Sequence, residues 1–357
     1  MGIHNLHKLL KAQCPDAYHE VELSDFAFKK VAIDISLYLC KFKTVCGDRW
    51  LAAFINLISC LRRNNIHCVF IYDNGAPPEK SEERAERAAN KEKLEEKVFQ
   101  LEWALENYER DGEIDACLSD LFEKKKDKTT KRLLGPQNRN DQKLDMRTVK
   151  DEISRIKGYI LNITKEDYAL TRHLFEVLGV PYYDAPLEAE TACADLCRRG
   201  LVDAVLSEDT DVLAYGAPTF LSKINTSTGT CVMLRHQEIL EQLDLTEEQF
   251  LDVCIMCGTD YNKNIPKVGP ANAYKLITIH GSIEGVASGT GHDVSILKHL
   301  RGRELFTQYD KMPLESVPYC TQPDFEEVEA FVVQNKLPVN VKGLRKSFVQ
   351  ELIIYED

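Results

Sequence analysis

The chain has 357 residues, 44% of them apolar and 29% charged, which suits about two domains built around real hydrophobic cores. Its net charge of −12 argues against a uniformly basic, nucleic-acid-attracting surface, although metal-binding carboxylates would inflate that figure. Twelve cysteines with a single CxxC (Cys254 and Cys257) and one pair a helical turn apart (Cys193 and Cys197) lack the four-ligand spacing of structural zinc; they read as buried free thiols of a reducing, intracellular compartment.

The N-terminal "MGIHNLHKLL" has no signal-peptide core, and Leu6 stands where a myristoylation motif needs Ser or Thr. No run approaches the ~20 apolar residues of a membrane span, so none is expected. "KKVAIDIS" (29–36), "HCVFIYD" (67–73) and "DAVLSED" (203–209) read as buried strands separated by helical stretches such as "RWLAAFINLISCLRRNN". That alternation predicts an α/β fold around a central, mostly parallel sheet. Each strand ends in acid: Asp34, Asp73, and the Asp209/Asp211 pair. Asp34 taken alone fits a helix N-cap, but three strands ending alike point to a site beyond their carboxyl ends, where open α/β sheets bind ligands.

Residues 79–110 hold 7 basic and 10 acidic side chains and no Gly or Pro, which predicts a long charged helix. Lys80, Arg84, Arg87 and Lys91 step by four, three and four along one face, a stripe that could equally be a solvated face laced by ion pairs. Leu94, Val98, Leu101, Leu105 and Tyr108 form an apolar seam further on. Residues 123–142 read as an exposed basic loop. The whole stretch 79–150 is expected as an insertion rising above the carboxyl edge of the sheet, dividing the core into 1–78 and 151–257. From 258 to 357 the chain turns helical. "GTDYNKNIPKVGPANAYKLI" reads as helix, tight hairpin and helix, with Gly269 in the turn and Pro270 at the first helical position; such a hairpin can hold a phosphate on its amides.

Seven carboxylates then need a reason: Asp34, Asp73, Glu188, Glu190, Asp209, Asp211 and Asp260. Asp209 and Asp211, two apart in an extended chain, would face one site together. If a helix starts at Pro186, Glu188 and Glu190 lie about 200° apart, so one would touch a metal and the other act through water, unless the helix starts later. Hard oxygen donors suit Mg²⁺ or Mn²⁺. Two such ions ~3.5–4 Å apart would offset the repulsion, activate a water and clamp a phosphate. The seven acids make up more than half of the net −12, so the charge no longer excludes nucleic acid. A phosphatase with an aspartyl nucleophile is disfavoured, because Ser36 stands where that chemistry needs a second Asp.

"VAIDIS", "YDNGAPPEK", "GVPYYDAPLEAETACADL", "SEDTDVLAYG", "CGTDYNKNIPKVGPANAYKLI" and "QPDFEEVEAFV" follow an initial "MGI". In that order the chain resembles the flap endonucleases, structure-specific 5′ nucleases, from residue 2 to about 348, thinly past about 280. The resemblance implies a nuclease core, a helical arch and a helix–hairpin–helix element gripping duplex DNA. It implies cleavage of branched DNA near single-strand/duplex junctions in replication, repair or recombination, leaving 5′-phosphate and 3′-hydroxyl ends. All seven acids match the family's metal-site positions. Of these Asp34, Asp73, Glu190, Asp209 and Asp211 would be direct ligands, with Glu188 and Asp260 acting through water. Lys80 and Arg87 match the two basic residues that steer the phosphate, with Arg84 and Lys91 beside them. Lys267, Gly269 and Lys275 would hold duplex phosphates, with K⁺ on backbone oxygens there.

The chain also departs from the family. Asn5 replaces a glycine, and Cys40 stands where an aromatic stacks on a base, leaving Tyr38 as the nearest candidate. The stretch from Tyr38 to Trp50 is shorter than usual and the arch insertion longer. "SFVQELIIYED" lacks the motif that binds a sliding clamp. The expectation is a monomer with no membrane partner, akin to a large DNA virus protein and acting in the nucleus or at a cytoplasmic site of viral replication. A non-cutting scaffold, or a nuclease preferring RNA, gaps or bubbles, are the alternatives.

Overall fold

The computed structural model describes residues 2–120, 146–160 and 162–348, so the expected basic loop and the residues from 349 onward, with the clamp-motif reading, lie outside the described residues. The chain divides into two compact units, one of Met1–Ser81 with Ile163–Asp357 and one of Glu82–Asn162.

The first unit is built on seven strands: β1 (His19–Glu22), β2 (Lys30–Asp34), β3 (His67–Tyr72), β4 (Tyr182–Asp184), β5 (Ala204–Leu206), β6 (Thr219–Asn225) and β7 (Thr230–Arg235). They order as β1-β7-β6-β5-β2-β3-β4. The five from β6 to β4 run parallel, while β7 and β1 add an antiparallel edge. Along β2, Val31 and Ile33 pack into one core cluster while Ala32 packs into the other, the two-residue period of a sheet buried on both faces. Strand order reverses between β2 and β5, the switch point outside which doubly wound sheets place ligands.

The helical run Ile35–Arg63 corrects the expectation about membranes, since it is long and apolar enough to cross one by length and composition, with half of its apolar window buried. The reason is core packing. Its helices Ile35–Cys46 and Trp50–Arg63 flank a Gly47–Arg49 turn. Leu37, Leu39, Phe54 and Ile58 from it fill the cluster under Val31, Ile33 and Phe70. All twelve cysteines are free and most are buried.

The second unit contains nearly all of the helix Ser81–Asp111 and the helix Met146–Tyr159. Val98, Leu101 and Leu105 bury against Val149, Ile153 and Ile156, with Leu94 and Tyr108 at the margin, so the apolar seam is a helix-pairing face. This pairing carries the unit to Asn162, beyond the 150 read from sequence.

Candidate metal centre

Asp34 closes β2 and caps the helix that follows, its Oδ1 accepting from the amides of Ser36 (2.7 Å) and Leu37 (3.4 Å). Capping therefore leaves Asp34 still within reach of the charges of Asp73 and Asp209. Asp73, just past β3, is fixed on both oxygens: Oδ1 accepts from Ala189 N at 2.8 Å and Oδ2 from Ser36 Oγ at 2.5 Å. Ser36 Oγ in turn lies 3.2 Å from the Tyr168 hydroxyl. The amide of Ala189 opens the helix Ala189–Arg198, so Asp73 sits at that helix's positive end.

The segment after β5 corrects the extended-chain argument. The strand ends at Leu206, and side chains fold the following loop: Ser207 Oγ accepts from Asp209 N and Asp209 Oδ1 from Asp211 N, each at 3.0 Å. These turns bring Asp211 to the first position of the short helix Asp211–Ala214. Asp209 and Asp211 do meet, but through a turn. The helix bearing "LEAET" likewise starts later than Pro186. Glu188 is its extended N-cap (φ −95°, ψ 137°) and Glu190 lies in its first turn, so the 200° separation does not apply. Both acids reach one ammonium: Lys80 Nζ lies 2.6 Å from Glu188, 3.4 Å from Glu190 and 3.1 Å from Asp260.

Glu190, Asp209 and Asp211 are buried, and each offers a carboxylate oxygen within 4.8 Å of the other two. Both oxygens of Asp211 are buried without a hydrogen-bond partner. Burial pushes Asp211 well above the usual carboxylate range, with Asp209 and Asp260 adding to it. Burial does the same to Glu190 against the pull of Lys80, and to Asp34 with help from Asp73. Orphaned, mutually repelling hard oxygens of this kind fit a divalent cation: it would satisfy the lone pairs and cancel the charge.

Sequence reasoning missed Gly2, Tyr261 and Tyr215 in this neighbourhood. Gly2 has φ 82°, and a Cβ there would lie 1.9 Å from Asp209 Oδ1, so only glycine lets the N-terminal backbone approach the acids this closely. Its signal was the "MGI" start. Tyr261 donates to Glu188 Oε2 (2.6 Å) and its hydroxyl lies 2.6 Å from that of Tyr215, a buried pair holding Glu188 from behind. Its signal was its place beside Asp260 in "GTDYN". Asn5, at φ 55°, takes the left-handed conformation that favours glycine and that asparagine tolerates, which accounts for the replacement.

Of the remaining sequence-predicted residues, Lys80 reaches these acids. Tyr38 is fully buried, its ring packing beside Phe42, so it cannot stack on a base; the helix turns it into the core. Lys80 belongs to the turn Pro78–Lys80 that precedes the long helix, not to the helix itself. Arg84 and Arg87 are exposed in the second unit, Arg87 paired with Glu83, and Lys91 bonds Asn162 there. In the hairpin, Asn264 Nδ2 donates to the carbonyls of Ile265 (3.4 Å) and Val268 (2.9 Å), and Lys267 takes φ 68°. Gly269 is the N-cap of Pro270–His280 at φ −89°, which any residue can adopt; what a Cβ would meet there is open space. Lys267 and Lys275 are exposed beside it.

Comparison with known proteins now has a site to explain. Residues 1–94 match the XPG N-terminal domain and residues 179–260 the XPG I-region, the spans that carry all seven acids. The chain is 34% identical to a putative RAD2-like endonuclease of Frog virus 3, over 99% of this chain and 92% of the relative. It is 30% identical to a probable RAD2-like endonuclease of Invertebrate iridescent virus 6 (98% and 92% covered) and 31% identical to flap endonuclease 1-A of Sorghum bicolor (82% and 70% covered). The chain belongs to the RAD2-like flap endonuclease family. The expected kinship with viral members of that family is met by these relatives, and the chain is a structure-specific 5′ nuclease by descent. In fold, the catalytic core of Rad2 in complex with DNA substrate superposes with a TM-score of 0.66 at 16% identity, covering 97% of this chain and 98% of that one. Flap endonuclease-1 from Methanococcus jannaschii gives 0.59 at 22%, covering 93% and 94%.

Proposed function

We propose that the protein cuts branched DNA near single-strand/duplex junctions with Mg²⁺ in the acidic cluster, Mn²⁺ substituting. The observation that carries this reading is the burial of Glu190, Asp209 and Asp211 within 4.8 Å of one another with Asp211 unpartnered. With Asp34 and Asp73 these residues would hold the metal; Glu188, already engaged by Lys80 and Tyr261, and Asp260 act at the periphery. When bound, such ions lower the pKa of a water and stabilise charge on a phosphate undergoing in-line displacement.

The chain's own residues supply the rest. Ser36 and the amide of Ala189 fix the Asp73 carboxylate, and Tyr261 with Tyr215 fixes Glu188. Lys80 brings a positive charge to the edge of the cluster, where it can neutralise the phosphate being cut. Arg87 is proposed as a second phosphate-contacting cation on its seven-residue spacing from Lys80. The exposed Lys267 and Lys275, with the amide at Gly269, are proposed to hold duplex phosphates, and K⁺ to bind the hairpin's backbone oxygens. The protein is further proposed to act as a monomer at an intracellular site of DNA replication.

The test is cleavage of a labelled 5′-flap DNA beside single-stranded, gapped and RNA-flap versions, with Mg²⁺ and with chelator. Metal-dependent incision of the flap leaving a 5′-phosphate is expected. No cleavage of any substrate, or cleavage untouched by Asp209→Ala, would refute the reading; preference for another substrate would move the specificity and keep the chemistry.

A further inference from the structure

Lys80 occupies an unusual place for a side chain that is to meet a phosphate. Its side chain is only 12% exposed, and its ammonium lies within 3.4 Å of three carboxylates from two separate segments, Glu188 and Glu190 on one and Asp260 on the other. The ring of Tyr261 lies 5.9 Å from the same nitrogen. Three carboxylates and an aromatic face around one cation make a complete binding site, and Lys80 is its occupant. We propose that Lys80 is a built-in counter-cation: it neutralises the acidic cluster while the metal is absent, and metal entry expels it. This deepens the metal-site reading above and rests on it.

Two observations on the surrounding structure make the exchange workable. Glu190 belongs both to the Lys80 site and to the Glu190/Asp209/Asp211 cluster, so an ammonium and a divalent ion would compete for the same carboxylate. Two cations a few ångströms apart repel strongly in a buried setting. The turn that carries Lys80 is anchored independently of the acids. Pro77 and Pro78 stiffen it, Lys80 N donates to Pro77 O at 3.1 Å, and Glu79 is bonded to Arg301 Nε at 2.7 Å. The backbone can therefore stay in place while the four-carbon stem swings its ammonium away. The consequence is order: the positive charge meant for the phosphate is presented only once the metal has replaced it among the acids. The cost is affinity, because every metal must displace an internal competitor.

Calcium binding by isothermal titration calorimetry, on the whole protein and at mildly alkaline pH, separates the possibilities. Lys80→Met, which keeps the stem without the charge, is expected to bind Ca²⁺ at least about tenfold more tightly than the native protein, while Lys80→Arg stays near native. A second readout uses the native protein alone. Reductive methylation followed by mass spectrometry should find Lys80 protected without metal and reactive at saturating Ca²⁺. Equal or weaker Ca²⁺ binding by Lys80→Met, or labelling of Lys80 indifferent to metal, would overturn the exchange. Absence of binding in every protein would overturn the metal site along with it.

Discussion

Asp252 and Asp211 are buried almost alike, at 2% and 1% exposure, yet their surroundings are opposite. Asp252 meets Arg303 through two bonds of 2.7 Å, and the same guanidinium binds Glu284 at 2.7 and 2.9 Å. Asp252 also accepts from Ile283 N at 3.1 Å. Arg303 holds Glu284 down at about 2. The Asp211 carboxylate faces Asp209 and Glu190, accepts no hydrogen bond, and is pushed up by burial. The first cluster is a fold-stabilising ion network in which donors match acceptors. In the second, Lys80 meets Glu188, Glu190 and Asp260, and both oxygens of Asp211 are left buried without a hydrogen-bond partner. A protein that matches the buried Asp252 with an arginine, and leaves the equally buried Asp211 carboxylate without a donor, has kept the second for a ligand.

Breaking the second cluster should have the largest effect on activity: Asp209→Ala is expected to lower flap cleavage by at least about 10³-fold, measured by single-turnover kinetics. Breaking the first should act on the fold instead. Arg303→Met leaves Asp252 charged, buried and short of its partner, an expected loss of about 3–5 kcal/mol in urea unfolding, with cleavage per folded molecule unchanged. Lys80→Ala should reduce kcat by about 10²-fold. Tyr261→Phe removes one hydrogen bond to Glu188 and should cost about 0.5–1.5 kcal/mol of stability. Glu284→Gln sharpens the contrast at its weak end. The Glu284 side chain is half exposed, so its ion pair contributes at most about 1 kcal/mol. Because Arg303 lowers its pKa from 4.5 to about 2 in the folded state, that contribution is fully present above pH 4.5 and fades as pH falls toward 2. Native and Glu284→Gln unfolding curves should therefore converge in acid.

Much of this was legible in the chain. β-Branched runs ending in Asp34 and Asp73 placed two acids at the edge of a parallel sheet, because strand period and strand ends are local properties. The apolar seam of Val98, Leu101 and Leu105 was equally local. Residues whose position depends on what folds against them were not legible. Tyr38 reads as the nearest candidate to stack on a base until Phe42 and the core enclose it. Glu188 reads as helical until the helix is seen to begin one residue later. Asp209 and Asp211 converge through a turn closed by Ser207 and Asp209 themselves, a side-chain–backbone competition invisible to periodicity. Gly2 and Tyr261 are far from the acids in sequence or masked by them, and only the folded chain shows them touching Asp209 and Glu188.

Thermal melting of the native protein and of Asp211→Asn, each with chelator and with saturating Mg²⁺, reports on the carboxylate that Asp211 holds without a donor. Asparagine keeps the shape of Asp211 and removes its uncompensated charge. The variant is expected to melt higher than the native protein in chelator, by roughly 1–1.5 °C per kcal/mol gained for a chain of this size, and to lose most of the Mg²⁺-induced rise that the native protein shows. A variant that melts lower in chelator and keeps the full Mg²⁺ response would contradict this.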